Sequence, residues 1–181
     1  MNEEILQKEQ SAGRSPEELA VYALLEKLEI PSTRVDHEPA MTMEDCEEVD
    51  RQLGVMMCKN LFLCNTQKTK FYMLLMPADK KFKTKDLSKQ IQSARLSFAD
   101  AEHMEQYLRI HPGAVSVMGL MNDEENHVQL LFDQEVLQQE WLGCHPCVNT
   151  SSIRLKMADL LEKFLPAVHH DWRAVELPDA E

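Results

Sequence analysis

Lys59 and Asn60 interrupt an apolar, strand-like run, Val55-Met56-Met57-Cys58-Lys59-Asn60-Leu61-Phe62-Leu63-Cys64. An ammonium that leaves water without a partner loses several kcal/mol. Such a lysine either snorkels to water from a strand start or meets an anion. Asn60 adds two donors and an acceptor beside it. The pair therefore suggests a cleft in which Lys59 faces an anion or a developing negative charge. Cys144-His145-Pro146-Cys147 offers a second chemistry. A Cys-x-x-Cys pair supports disulfide exchange when a helix N-terminus lowers a thiol pKa. The following Val148 to Ile153 is a poor helix sequence and supplies no such dipole. Two thiols and His145 make three ligands, with no second pair to close a zinc site. No metal and no cofactor are expected.

His111-Pro112-Gly113 breaks a helical stretch. A glycine there lets backbone N–H groups approach a ligand and donate to it; taken alone, it is a helix stop. Ser116 lies nearby, but no Gly-x-Ser-x-Gly and no evident base mark it as a nucleophile. No phosphate-binding glycine loop is present.

The 181 residues suit one domain, and 44% hydrophobic content is enough for a core. The acidic start lacks the pattern of a signal peptide. No apolar stretch approaches the ~20 residues of a membrane span. A soluble, cytoplasmic protein with no membrane partner is expected. The net charge of −12 argues against a generic nucleic-acid binder. That average hides an asymmetry: residues 59–95 carry nine Lys/Arg against two acids, a local +7 in a remainder of −19. A basic patch on an acidic body can engage one polyanion in one orientation. It can equally be a solvated helix face.

The elements that must position these residues follow from capping and periodicity. Ser15-Pro16-Glu17-Glu18 starts a helix with a capping box, and Pro31 ends it. A short strand over 33–36 precedes an acidic helix over 42–53. Strands over 58–65 and 70–76 form a hairpin through 66–69. A basic helix capped by Thr84 covers 84–91, an extended piece 96–98, and a helix 100–109. A strand over 127–132 and a short helix over 133–139 follow. Strands over 141–144 and 150–155 flank the Cys-His-Pro-Cys turn, and a helix over 157–165 closes the fold. This pattern predicts an α/β (α+β) fold with a mixed, mainly antiparallel central sheet and surrounding helices. The expected organisation is a flexible N-terminus over 1–14, one domain over 15–168 and a loose acidic tail over 169–181.

Four segments taken together resemble the YbaK/prolyl-tRNA-synthetase-associated-domain family of aminoacyl-tRNA deacylases. They are His37-Glu38-Pro39-Ala40-Met41-Thr42, Lys59-Asn60-Leu61-Phe62-Leu63 with Pro77-Ala78-Asp79-Lys80, Pro112-Gly113-Ala114-Val115-Ser116, and His145-Pro146 with Asn149-Thr150. Their order and spacing match from about Ser15 to Leu165, most closely in the free-standing prolyl-tRNA editing branch. The resemblance implies a YbaK-like fold and a cleft for the aminoacylated 3′ end of tRNA. It implies trans-editing of mischarged tRNA, foremost Ala-tRNA(Pro), with prolyl-tRNA synthetase as a candidate partner.

It further implies Lys59 as the functionally essential lysine, and Asn60, Gly113, Ala114, Ser116 and His145 as pocket residues. Lys80, Lys81, Lys83 and Lys85 would meet the acceptor stem. One departure concerns the loop: Val117 stands where the family usually has proline, which bears on amino-acid preference. A deacylase for cysteinyl- or seryl-tRNA, a non-catalytic module for the tRNA end, and a thiol oxidoreductase are the alternatives.

Overall fold

The computed structural model describes residues 13–39 and 42–178. Helix α1 (Pro16–Lys27) starts as expected: Ser15 Oγ accepts from the Glu18 N–H at 3.1 Å, with Pro16 in the first turn. The capping box is incomplete. The buried Glu18 carboxylate instead accepts from Arg14 Nη1 at 2.6 Å and from the Tyr22 hydroxyl. Arg14 also donates to Asp36 at 2.8 Å, which holds that carboxyl down at about 2. The expected flexible terminus over 1–14 lies outside the described residues up to position 12; Gly13 and Arg14 are described.

Strand β1 (Ser32–Asp36) and helix α2 (Met43–Leu53) come next. Helix α2 has a full capping box between Thr42 and Asp45 and ends at Gly54 in the left-handed region. Then come β2 (Lys59–Asn65), β3 (Phe71–Met76), α3 (Thr84–Gln90), β4 (Leu96–Phe98) and α4 (Ala101–Leu108). A 3₁₀ turn (Val117–Asn122), β5 (Val128–Asp133), α5 (Gln134–Leu137), β6 (Trp141–Cys144) and β7 (Ser151–Lys156) continue the chain. It ends in α6 (Met157–Asp159), a π-helical turn (Leu160–Phe164), α7 (Leu165–Ala167) and β8 (Trp172–Val175).

The strands form two sheets. One has the order β4-β2-β3-β5-β8, antiparallel through β3 and parallel beyond it; the other is the antiparallel β1-β7-β6. The mixed, mainly antiparallel α+β architecture is therefore present, with the antiparallel share divided between the sheets. Asn65 sets the β2–β3 hairpin by accepting from the Thr69 and Lys70 N–H groups at 2.8 and 3.1 Å. All six residues of β3 are buried, as a central strand covered on both faces requires.

The pleat sends alternate residues of β2 into different cores. Phe62 and Cys64 join a large cluster with α1, the 3₁₀ turn and the C-terminal helical turns. Leu61 and Leu63 join a smaller one with Leu87 of α3 and Leu96 of β4.

Two further expectations about the elements are corrected. Lys83, not Thr84, holds the N-cap position of α3, with no side-chain cap bond. Of the segment 169–181, expected as a loose tail, residues 169–178 are described and supply β8, paired in parallel with β5, and the buried Val175 and Leu177, while 179–181 lie outside the described residues. Burial of these apolar groups fixes the segment although its composition is acidic. No helix of the described residues is long and apolar enough to cross a membrane.

Candidate functional site

A cleft of about 390 Å³ opens where α2, the start of β2, the Gly113 loop and the β6–β7 connection meet. Volumes of this order suit small-molecule sites. Gly54 turns the chain out of α2 with φ 78°. Asp50 then ties down the returning segment, its carbonyl accepting from Gly54 and Val55 and its Oδ1 from the Met57 N–H at 3.3 Å. Gly143 of β6 lets that segment approach closely: a Cβ there would lie 2.9 Å from both Met57 Sδ and Val55 Cγ1. Met57, Cys58, Val49, Ala78 and Val115 thus give the cleft an apolar wall.

The lining also carries two histidines, His37 and His145, with assignable tautomers. His145 Nδ1–H donates to the Ser151 carbonyl at 2.9 Å. His37 Nδ1–H donates to the Glu38 carbonyl at 2.7 Å, so its Nε2 accepts from the Ser152 hydroxyl at 2.8 Å. His145 Nε2 then keeps a lone pair, with no partner among the described residues. Burial holds the His145 pKa below the usual imidazole value; the Ser151 carbonyl opposes that shift and neighbouring His37 adds to it. The ring is a neutral base at pH 7. Asp50 also lines the cleft, and burial raises its carboxyl pKa. Its second oxygen has no partner among the described residues.

Asn60, Gly113 and His145 all line this cleft. Gly113, at φ 93°, adopts a conformation that L side chains rarely take. The Ala114 N–H is spent on the His111 carbonyl at 3.2 Å, whereas those of Gly113 and Val115 have no partner among the described residues. The free donors are therefore Gly113 and Val115. Ala114 and Ser116 are buried outside the lining, and Ser116 Oγ caps the 3₁₀ turn by accepting from the Met118 N–H at 3.1 Å. Asn60 Oδ1 accepts from the Val117 N–H at 3.0 Å. A proline at 117 has no such donor, so valine lets Asn60 hold the loop.

Lys59 lies apart from its neighbour. It falls on the other face of β2, outside the lining, and donates to the Lys80 carbonyl at 2.7 Å. Ala78, two residues before that carbonyl, and Cys58 and Asn60, on either side of Lys59 in sequence, line the cleft. Lys80 itself is corrected: it is buried and donates to Asp133 Oδ2 at 2.9 Å and to the Leu177 carbonyl at 3.0 Å. Burial works against its charge, but the Asp133 and Glu135 carboxylates more than offset this and raise its pKa. Lys80 cannot meet tRNA. Lys81, Lys83 and Lys85 are exposed.

The Cys-x-x-Cys reading loses its physical basis. Cys144 and Cys147 are buried free thiols; burial pushes Cys144 up strongly and Cys147 to about 12, the opposite of an activated thiolate. Among the described residues no group of three or more His, Cys, Asp or Glu is placed to hold a metal ion. Sequence reasoning missed Asp50, Val115, Ser152 and Gly143. Gly143, a glycine inside an apparent strand, was the one with a visible signal of close backbone approach.

This architecture defines a YbaK-like α+β protein. A solved candidate trans-editing enzyme for prolyl tRNA synthetase superposes with a TM-score of 0.65 at 13% identity, covering 92% of this chain and 100% of its own. The Aminoacyl-tRNA editing domain family matches residues 37–163, and this chain belongs to that family. It is 34% identical over 158 residues to the prolyl-tRNA editing protein ProX of Acetoanaerobium sticklandii, covering 87% of this chain and 96% of that one. It is also 27% identical to prolyl-tRNA synthetase associated domain-containing protein 1 of Danio rerio, covering 81% and 79%.

Proposed function

We propose that this protein is a trans-editing deacylase that hydrolyses the ester of mischarged tRNA, with Ala-tRNA(Pro) as its principal substrate. The observation that carries the reading is the pairing, in one cleft, of a neutral imidazole with backbone donors lacking partners. Ester hydrolysis needs both: a base for water and donors aimed at the developing oxyanion. The similarity to ProX supports the tRNA(Pro) assignment.

In this reading the terminal adenosine enters beside Asn60, and the aminoacyl group lies between Asp50 and the Gly113 loop. Asp50 receives the α-ammonium. Water attacks the ester carbon while its proton passes to His145 Nε2. The carbonyl becomes an oxyanion facing the Gly113 and Val115 N–H groups. Collapse breaks the bond to the ribose oxygen, which takes the proton back from His145. The products are the free amino acid and tRNA with its ribose hydroxyl restored. Lys59 exchanges the Lys80 carbonyl for the terminal phosphate, so it acts as an anchor.

The apolar wall of Val49, Met57, Cys58 and Val115 suits a methyl group. A second sieve of this kind solves a problem for a synthetase, because excluding a smaller side chain yields only ~1–3 kcal/mol. No cofactor enters the scheme. Prolyl-tRNA synthetase is the proposed partner supplying mischarged tRNA, and the cytoplasm the proposed site of action. The test is a deacylation panel of alanyl-, cysteinyl-, seryl- and prolyl-tRNA. Alanyl-tRNA(Pro) should be hydrolysed and prolyl-tRNA(Pro) spared. If the wild type hydrolyses none, the chain is a binding module instead. If Lys59→Ala keeps full activity, the anchor role fails.

A further inference from the structure

We propose that Phe98, backed by Phe82, is a stacking ledge for the unpaired bases of the tRNA 3′ end, outside the cleft. The inference rests on the deacylase reading and adds a second contact to it. Phe98, 62% exposed, is the most exposed large hydrophobic side chain among the described residues. It packs edge-on against Phe82, with ring centroids 6.0 Å apart and planes at 70°. This leaves a broad apolar surface held in one orientation.

Sheet register places the ledge relative to the site. Phe98 lies opposite Leu63 in the β4–β2 pair. Leu63 and Lys59 share one face of β2, four residues apart, which is about 13 Å at ~3.3 Å per residue. A stacked strand advances ~3.4 Å per nucleotide. A chain whose terminal phosphate meets Lys59 therefore reaches Phe98 about three to four nucleotides back, where the last unpaired base meets the acceptor stem. The charge around the rings points to RNA. Phe82 lies between Lys81 and Lys83, with Lys85 in the next turn; all three lysines are exposed and make no ion pair among the described residues. Of the acids close in sequence to the two rings, Asp100 pairs with Lys68 at 2.8 Å, which leaves Asp79, Asp86 and Glu102 beside that lysine cluster. Aromatic rings within a basic track are how proteins hold single-stranded nucleic acid without reading sequence.

The experiment compares Phe98→Ala and Phe98→Trp with wild type on alanyl-tRNA(Pro) and on 3′-alanyl-adenosine, which lacks every nucleotide that could reach the ledge. Phe98→Ala should raise KM for the tRNA about tenfold, the loss of one stacked base, with kcat unchanged. Phe98→Trp should restore KM, and neither variant should alter kinetics on alanyl-adenosine. An unchanged KM for the tRNA, or an equal loss on both substrates, overturns the ledge. Anisotropy with uncharged tRNA, intact or lacking its last four nucleotides, separates this from the deacylase reading. If no ester is hydrolysed, that reading fails, while weaker binding of intact tRNA alone by Phe98→Ala still supports the ledge. Equal binding by wild type and variant overturns it.

Discussion

Replacing Lys80 with methionine separates a structural cation from a tRNA contact. Lys80 Nζ lies 2.9 Å from Asp133 Oδ2, 3.0 Å from the Leu177 carbonyl and 3.1 Å from Glu135 Oε1. Opposite charges 2.9 Å apart attract by about 6 kcal/mol at an effective dielectric of ~20, most of which repays desolvation. Glu135 is half exposed, so its share is about 1 kcal/mol or less. Methionine keeps the stem and removes the charge, leaving Asp133, 1% exposed, without its cation. Orphaning a buried ion in this way costs about 3–5 kcal/mol. For a chain of this length that lowers Tm by about 6–20 °C.

Adding Asp133→Asn removes the stranded charge but keeps an Oδ1 acceptor for the Glu135 N–H, bonded at 3.0 Å. The double variant should recover much of the lost Tm. Salt dependence of tRNA binding supplies the contrast. Lys80→Met should leave the slope of log K against log[salt] unchanged, while Lys83→Ala should reduce it by roughly one phosphate contact. A Lys80→Met protein with wild-type Tm and a reduced slope would refute the assignment.

Asp50→Asn should raise KM for alanyl-tRNA(Pro) about tenfold or more, yet leave binding of uncharged tRNA unchanged, since only the aminoacyl form carries the α-ammonium. Because burial lowers the His145 pKa and raises that of Asp50, kcat/KM should hold through pH 7 and fall on the acid side. His145→Asn should lower the rate and remove the imidazole's share of that fall, leaving the share of Asp50. For stability, the unfolded state binds the His145 proton first on acidification, so its contribution is present above ~6.5 and is lost as pH falls toward the depressed folded value; urea titrations from pH 7 to 5 measure this. Asn60→Ala should strand the Val117 N–H and cost about 1–3 kcal/mol, whereas Asn60→Asp, which keeps Oδ1, should retain most of the Tm but not the kcat/KM. Cys144→Ala should keep deacylation, and iodoacetamide at pH 7 should label exposed Cys46 well before Cys144 or Cys147; rapid Cys144 labelling would contradict its burial.

Local signals carried most of the elements because caps and turns are written within a few residues. Ser15 and Thr42 form the local bonds that their positions at helix starts suggest, and the expected hairpin after residue 65 is held by an equally local bond that Asn65 accepts. Long-range partners were not legible. Lys80 looks like its neighbours Lys81 and Lys83 in any charge count; what buries it is Asp133, 53 residues on, and the Leu177 carbonyl, 97 residues on. The same distance hid the role of the tail. Its net acidity suggested a solvated end, but Trp172–Val175 finds an open edge on β5, and Leu177 closes over the smaller core.

Lys59 and Asn60 illustrate the remaining limit on the site. Adjacency in sequence suggested a pair acting together, but adjacency on a strand means opposite faces. Asn60 faces the cleft and spends its oxygen on the Val117 N–H, while Lys59 is anchored to the carbonyl of the lysine that the tail clamps. In the proposed reading the two serve different parts of one substrate path: Asn60 the acyl-bearing end, Lys59 the backbone that follows it over the opposite face of the sheet. On that path the anchoring of Lys59 depends on the Lys80 turn, and the turn depends on Leu177. Truncation before residue 172 should weaken tRNA binding more than it alters hydrolysis of alanyl-adenosine, because it removes no group from the cleft and loosens the turn that sets the rim.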